Sequence, residues 1–302
     1  MIECCHIRSF GNKKTNKMKQ CIIVIPIYKS SPKESEIASF KQCLQILKTH
    51  DITIFTHKNC DLHVYMNIAD FIGKKVNVEL FAADYFKSVV GYNDLCFSAE
   101  FYERFSDYEY MCIYQLDAWV FRDEIDYWCR KGYDFIGAPI FYAYNNRKFT
   151  NKVCGIGNGG FCIRRISHCL KMINSNQKKT FIKPIPLIKL YWNYFLYDDK
   201  FTKSILMRLR IIPTIILKMF GNRNTIEYYR TNHINEDMIF GTWSTLSWGF
   251  NGKIPCADEA AKFSFEVHPE MLFDKNGKQL PFGCHAFEKW DYSSFWSKYI
   301  KF

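Results

Sequence analysis

Four short stretches bring together residue types that can do chemistry: Gln115-Leu116-Asp117-Ala118-Trp119, Gly155-Ile156-Gly157-Asn158-Gly159-Gly160-Phe161, Asn235-Glu236-Asp237 and Gly283-Cys284-His285. Asp117 closes an apolar run, Tyr110 to Gln115, that reads as a buried strand. In open parallel sheets ligands sit beyond the carboxyl ends of the strands, so a carboxylate there is placed to hold a cation or a ligand. A turn or helix-capping aspartate is the plainer alternative. The glycines permit positive φ and a close approach of backbone to ligand. A strand follows them rather than a helix, so they are not a dinucleotide fingerprint, and a glycine-rich hairpin is the competing account. Glu236 and Asp237 precede an apolar helical stretch, Met238 to Leu246. Asn235 suits its N-cap and the two acids suit its dipole. Adjacent carboxylates pointing different ways also leave one for general-base work. His285 is either a structural histidine or a ligand.

The elements that must position these residues alternate. Gln20 to Ile27 is apolar almost throughout, a buried strand, and a helical pattern follows from Ser35 to Lys48. Strands are expected at Asp51 to Thr56 and Val76 to Phe81, a helix at Tyr92 to Phe105 and a fourth strand at Tyr110 to Gln115. Ile125 to Lys131 reads as helix, Tyr133 to Ile136 as a short strand, and Ala260 to Val267 as a last apolar stretch. Such alternation argues for an α/β layer around a mainly parallel sheet.

Composition sets the outer bounds. With 302 residues, 48% hydrophobic, 24% charged and 18% aromatic, the chain is neither disordered nor fibrous. We expect a flexible basic arm over residues 1–19, with Met18 as an alternative start, and one domain over 20–302. The 13 cysteines include no CxxC pair and no zinc-ligand spacing, which suggests reduced core thiols and a cytoplasmic setting. No secretory h-region and no membrane-spanning run is apparent. The net charge is +11, and residues 176–224 alone hold ten Lys or Arg against two Asp, or +8. Because these charges are interleaved with aliphatic and aromatic side chains, this basic insert fits an anionic membrane surface, such as the inner face of the plasma membrane, better than nucleic acid. Within it, Ser204 to Phe220 is amphipathic in places, with a kink expected at Pro213.

The order of the motifs is more informative than any one of them. The first strand with Pro26-x-Tyr28, the acidic motif after a central strand, the NGGF strand, the Glu-Asp pair and the late GxH resemble GT-A glycosyltransferases. Tyr114-Gln115-Leu116-Asp117-Ala118-Trp119, Asp134-Phe135-Ile136-Gly137-Ala138-Pro139 and Gly157-Asn158-Gly159-Gly160-Phe161 with Arg164 resemble an uncharacterised bacterial glycosyltransferase-like domain family. The resemblance spans roughly Gln20 to Trp290, outside the basic insert. It implies a GT-A-like (Rossmann-like) mixed, mainly parallel sheet flanked by helices, with a helical basic insert.

By the same resemblance the activity is transfer from a nucleotide-diphosphate sugar to a saccharide or lipid-linked saccharide acceptor, in surface polysaccharide synthesis. Mn²⁺ or Mg²⁺ would sit on Asp117 and His285. The motif departs from the usual DxD because Gln115 stands where the first aspartate would be, which lowers the charge on the cation. Pro26, Tyr28, Thr56, Gln115, Asn158, Gly159 and Gly160 fall where the donor binds. Asp237 is expected as the base, with Glu236 orienting the acceptor. Phe287 and Trp290 form either an acceptor platform or core. The Gln115 departure also motivates a second reading, a catalytically silent carbohydrate-binding protein. A third is a nucleic-acid-binding protein built on the insert, for which no recognised motif is present.

Overall fold

The computed structural model describes residues 18–142, 150–175, 183–197, 226–246 and 249–302, with isolated positions at 209, 213 and 215–217. Residues 1–17 of the expected arm and most of the basic insert, including the neighbours of Pro213, lie outside the described residues, while Lys19, expected in the arm, opens the first strand.

The chain begins with β1 (Lys19–Pro26), α1 (Glu34–Ile46), β2 (Asp51–Thr56), α2 (His63–Ile72) and β3 (Asn77–Leu80). Helices α3 (Val89–Cys96) and α4 (Ala99–Glu103) follow, then β4 (Tyr108–Tyr114), β5 (Trp119–Val120), α5 (Ile125–Arg130), β6 (Phe135–Ile136) and β7 (Ala138–Phe141). Next come β8 (Val153–Gly157), β9 (Phe161–Arg165), α6 (Ile166–Ile173), α7 (Pro184–Tyr197) and α8 (Ile226–Thr231). The last part holds α9 (Glu236–Met238), α10 (Ser244–Leu246), α11 (Ala257–Phe263), β10 (Ser264–Phe265), α12 (Pro269–Lys275) and β11 (Gly283–Cys284).

Six strands form the central sheet in the order β3-β2-β1-β4-β9-β6, and β9 alone runs against the others. The apolar runs are continuous because both faces are covered. Along β1, Ile23 and Ile25 pack on α1, α2 and α5, while Ile22 and Val24 pack on the side of α3, α4 and α6. The expected mixed, mainly parallel α/β sheet flanked by helices is therefore what the chain forms.

Two helical expectations change. Tyr92 to Phe105 is not one helix, because Ser98 stops the first and caps the second, its hydroxyl accepting from the Phe101 N–H at 3.2 Å. Met238 to Leu246 is also broken, by a π-helical turn over Ile239–Trp243 in which Gly241 leaves helical geometry (φ −79°, ψ −110°). A Cβ at Gly241 would stand 2.4 Å from the Ile156 carbonyl oxygen, so the break lets β8 approach this backbone. The Asn235 side chain, expected as a cap, instead accepts from Asn93 Nδ2 at 3.3 Å. All cysteines among the described residues are free thiols.

The interaction that ties the sheet to the later helices is a buried ion pair. Arg164 on β9 is 0% exposed and Glu236 at the start of α9 is 2% exposed. Nη1 lies 2.7 Å from Oε2, and Nη2 donates to Oε1 at 3.0 Å. The Tyr102 hydroxyl accepts from Nη1 at 3.2 Å, and the guanidinium lies against the rings of Phe135 and Phe240. Removing one partner of such a pair strands the other charge, at a cost of about 3–5 kcal/mol. Arg164→Ala should therefore lose about that much stability in urea unfolding, whereas Arg104→Ala, whose carboxylate partners are surface-exposed, should lose less than about 1 kcal/mol.

Candidate functional site

The strand order reverses between β1 and β4, since the chain runs outward from β1 to β3 and then returns to place β4 on the other side of β1. A crevice at the carboxyl ends of the strands is expected at such a switch point. The structure has a cavity of about 1460 Å³ there, lined by Pro26 and Tyr28 after β1, Gln115 and Asp117 after β4, and Asn158 to Gly160 before β9. Asp237 and His285 face the same cavity.

His285 reaches Asp117 through a three-stranded sheet, β10-β11-β5. Cys284 pairs antiparallel with Trp119 and parallel with Phe265. The next positions along these ladders bring Asp117, His285 and Glu266 together. His285 Nε2 lies 3.1 Å from Asp117 Oδ1, and Nδ1 lies 3.3 Å from Glu266 Oε1. Burial lowers the imidazole pKa, but the two carboxylates outweigh it and raise it to about 10. Burial likewise opposes ionisation of Asp117, yet the imidazolium holds its carboxyl below the ordinary aspartate range.

This donor set fits a divalent cation. Cis donors of an octahedral ion with bonds of about 2.1 Å stand about 3.0 Å apart, close to the Asp117–His285 separation. Glu266 behind Nδ1 supplies the carboxylate that orients a ligating histidine. No group of three or more His, Cys, Asp or Glu side chains is arranged as a metal cage among the described residues.

The glycines matter here by contact rather than by conformation, because Gly155, Gly157, Gly159 and Gly160 do not take the positive φ expected of them. A Cβ on Gly160 would stand 2.0 Å from His285 Nε2 and 2.8 Å from Gln115 Oε1. Asn158, at φ 79°, turns the chain between β8 and β9, and its Oδ1 accepts from the Gly160 N–H at 3.1 Å. Its Nδ2 is buried without a hydrogen-bond partner among the described residues. An unmatched donor of this kind on a cavity wall suits a ligand hydroxyl or carbonyl.

Asp237 is held from both sides. Oδ2 accepts from the Asn158 N–H at 2.6 Å and Oδ1 from the Met238 N–H at 2.8 Å. Burial raises its pKa, with the Asn158 N–H and the Arg164 charge opposing. Glu236 also lines the cavity, and both its oxygens lie on Arg164.

Three expected site residues stand apart from the cavity. Thr56 is fully buried and its hydroxyl donates to the Ile27 carbonyl at 2.6 Å, bracing the end of β1 against β2. Phe287 is fully buried, edge-on to Trp119, and offers no face to an acceptor. Trp290 packs on the same C-terminal cluster, with the Lys289 ammonium 4.6 Å from its ring centroid. Sequence reasoning missed Glu266, although an acid inside the apolar run Phe263-Ser264-Phe265-Glu266-Val267 is the signal of a buried, partnered charge. It also missed the lysines on the cavity wall, Lys29, Lys33, Lys87 and Lys289.

The family described as "Protein of unknown function (DUF5672)" matches residues 75–285, more than half of the chain, and the chain belongs to it. That span holds Gln115, Asp117, Asn158, Asp237 and His285 but not β1 or β2, so it is narrower than the resemblance read from the motifs. No curated protein matches the chain. Among solved structures, core-mannan synthase A (CmsA/Ktr4) from Aspergillus fumigatus in its Mn/GDP form is 9% identical with a TM-score of 0.37, covering 70% of this chain and 68% of its own. A197 from STIV is 12% identical with a TM-score of 0.29, covering 53% of this chain and 71% of its own. Both likenesses are distant, and the fold and site stand on the geometry above.

The His285 environment has a pH signature. An imidazole raised from 6.5 to about 10 contributes stability that is fully present below about pH 6.5 and is lost as pH climbs toward 10. In chelating buffer the melting temperature of the wild type should fall between pH 7 and 10 more steeply than that of His285→Gln. Parallel profiles would show that the imidazolium is not held in this way.

Proposed function

We propose that the protein is a glycosyltransferase that takes a sugar from a nucleotide-diphosphate donor and passes it to a saccharide or lipid-linked saccharide acceptor. The observation that carries this reading is the meeting, in one cavity at the β1/β4 switch point, of the Asp117–His285 pair with a separately anchored carboxylate, Asp237. The motif order that resembles GT-A glycosyltransferases supports it. The cavity volume exceeds the roughly 300–1,000 Å³ of a typical small-ligand pocket, which suits two ligands side by side.

On this reading Asp117 and His285 would hold Mn²⁺ or Mg²⁺, which would supply positive charge against the departing diphosphate. Gln115, in place of an acid, leaves that site with one carboxylate. Its amide is placed to hydrogen-bond the donor. Lys33 and Lys289 add positive charge at the cavity wall, and Pro26 and Tyr28 border the nucleotide. Asn158 Nδ2 donates to a donor-sugar hydroxyl, and Gly159 and Gly160 let the sugar ring lie against backbone. Asp237 takes the proton from the acceptor hydroxyl as that oxygen bonds to the anomeric carbon and the bond to the diphosphate breaks. A carboxyl whose pKa is raised by burial is a better proton acceptor near neutral pH than an ordinary aspartate. Tyr142, Tyr191 and Trp243 line the cavity and take the platform role expected of Phe287 and Trp290.

Two measurements test this. Calorimetry with a panel of nucleotide-sugars, with and without Mn²⁺, should find one that binds the wild type only with metal and does not bind Asp117→Ala. Glu266→Gln should weaken Mn²⁺ binding about 10–100-fold by loosening His285. Binding that ignores both metal and mutation would favour the silent carbohydrate-binding protein instead. Separately, Asp237→Asn should keep donor affinity while transfer falls by about 10²–10⁴. Loss of donor binding in that variant would move Asp237 out of the base role.

A further inference from the structure

Tyr92 lines the candidate active-site cavity, and no step of the proposed chemistry uses it. Its position is fixed in three ways. Ser88 caps α3, its hydroxyl accepting from the Gly91 N–H at 3.1 Å, and the Tyr92 N–H donates to the Ser88 carbonyl at 3.0 Å. The ring stacks on Phe55 of β2, with centroids 6.3 Å apart and planes at 24°. The next residue, Asn93, ties α3 to the start of α9. Its Nδ2 donates to Asn235 Oδ1 at 3.3 Å, and its Oδ1 accepts from the Glu236 N–H at 3.5 Å. A side chain held this firmly on a cavity wall is pre-organised, so a ligand that meets it does not have to order it.

The hydroxyl at the end of that ring is buried and has no hydrogen-bond partner among the described residues. Burial, with Cys96 and Glu236 nearby, pushes the phenol well above its ordinary range, against the opposing Arg164 charge and Gln115 amide. It therefore stays protonated, able both to donate and to accept. The same neighbours locate it. A Cβ on Gly159 would stand 2.6 Å from Glu236 Oε1 and 3.4 Å from Arg164 Nη2, so Tyr92 and the glycine turn border one ion pair. Asn158 Nδ2, in that turn, is a second buried donor on the cavity wall with no partner among the described residues. A buried polar group left unpaired costs stability, and that cost is recovered when a ligand oxygen pairs with it.

We infer that Tyr92 is a specificity-determining residue for the donor sugar, its hydroxyl bonding one oxygen of the sugar while Asn158 Nδ2 bonds another. The inference rests on the reading of the cavity as a nucleotide-sugar site. It narrows the donor to a sugar that presents oxygens along the edge lying against Gly159 and Gly160. A sugar without them leaves both donors unpaired, and a site built to bond a hydroxyl strongly rejects the analogue that lacks it. On the same reading the nucleoside lies by Pro26 and Tyr28 and the diphosphate by Asp117 and His285, so Tyr92 acts on the sugar alone.

The test is Tyr92→Phe, which removes one oxygen and keeps the ring. Calorimetry in Mn²⁺ compares it with the wild type, using UDP-glucose, UDP-galactose, UDP-N-acetylglucosamine and GDP-mannose, and UDP and GDP alone. The nucleotide-sugar that binds the wild type should bind the variant about tenfold more weakly, while the corresponding nucleoside diphosphate binds both equally. The melting temperature of the variant without nucleotide should equal or exceed that of the wild type, because an unpaired buried hydroxyl has been removed. Equal binding of the nucleotide-sugar by both proteins would overturn the inference. So would a parallel loss for the free diphosphate, which would place Tyr92 at the nucleotide. A lowered melting temperature would also overturn it, by showing that the hydroxyl makes a structural bond. Failure of every nucleotide-sugar to bind the wild type would overturn the enzymatic reading, and the inference with it, an outcome distinct from the other three.

Discussion

The contact on which the cavity floor depends is the buried ion pair between Arg164 and Glu236. A guanidinium with no exposure needs a carboxylate, and the carboxylate here arrives from 72 residues further along the chain. Closing that pair fixes the start of α9 over the end of β9. The next residue, Asp237, is then carried to the Asn158 N–H, and the glycine turn before β9 is tied to the same spot. One desolvated charge thus sets a carboxylate and a glycine-rich wall side by side. The space beside it is tight: a Cβ on Gly159 would lie 2.6 Å from Glu236 Oε1. Glycine at this position is therefore part of the same arrangement as the ion pair.

The second half of the site follows from strand register. In the small sheet β10-β11-β5, pairing of Cys284 with both Trp119 and Phe265 leaves the following residues of β10 and β11 beside the residue preceding β5 by two. Glu266, His285 and Asp117 therefore meet, although they come from three distant parts of the sequence. Two carboxylates around one imidazole hold a proton tightly, and the same arrangement presents a nitrogen and an oxygen at the spacing of adjacent ligands.

The two halves are joined by the end of β4. The Gln115 N–H donates to the Gly160 carbonyl at 2.7 Å, linking the acidic motif to the glycine turn. A change on either side is therefore felt on the other. The Asp134-Phe135-Ile136-Gly137-Ala138-Pro139 stretch supports both from behind. Asp134 pairs with Arg165 Nε at 3.0 Å and accepts from the Lys253 N–H at 2.9 Å, which holds β6 beside β9. Gly137 lies where any Cβ would strike the Gly157 carbonyl oxygen, at 1.9 Å. That motif binds the sheet together behind the cavity rather than lining it.

The sequence by itself determined the layer architecture. Strands β1, β2 and β4 are apolar along their length because both faces of the central sheet are covered, so each announces itself locally. Asp117, Asn158, Asp237 and His285 are legible as chemistry because each follows or precedes a recognisable element, and those elements end at one edge of the sheet. What only the tertiary structure decided is which partner each polar group takes. Glu236 and Asp237 are adjacent and alike in sequence, yet one is clamped by Arg164 and the other is held by the Asn158 and Met238 N–H groups. Thr56 and Phe287 look like site residues from their positions and are core, while Glu266, Tyr191 and Trp243 stand at the site without a motif to mark them. The physical reason is that hydrophobic periodicity is a property of neighbours a few residues apart, whereas hydrogen bonds and ion pairs among buried groups are satisfied across the fold. The choice among alternatives is made only when the strands and helices have packed.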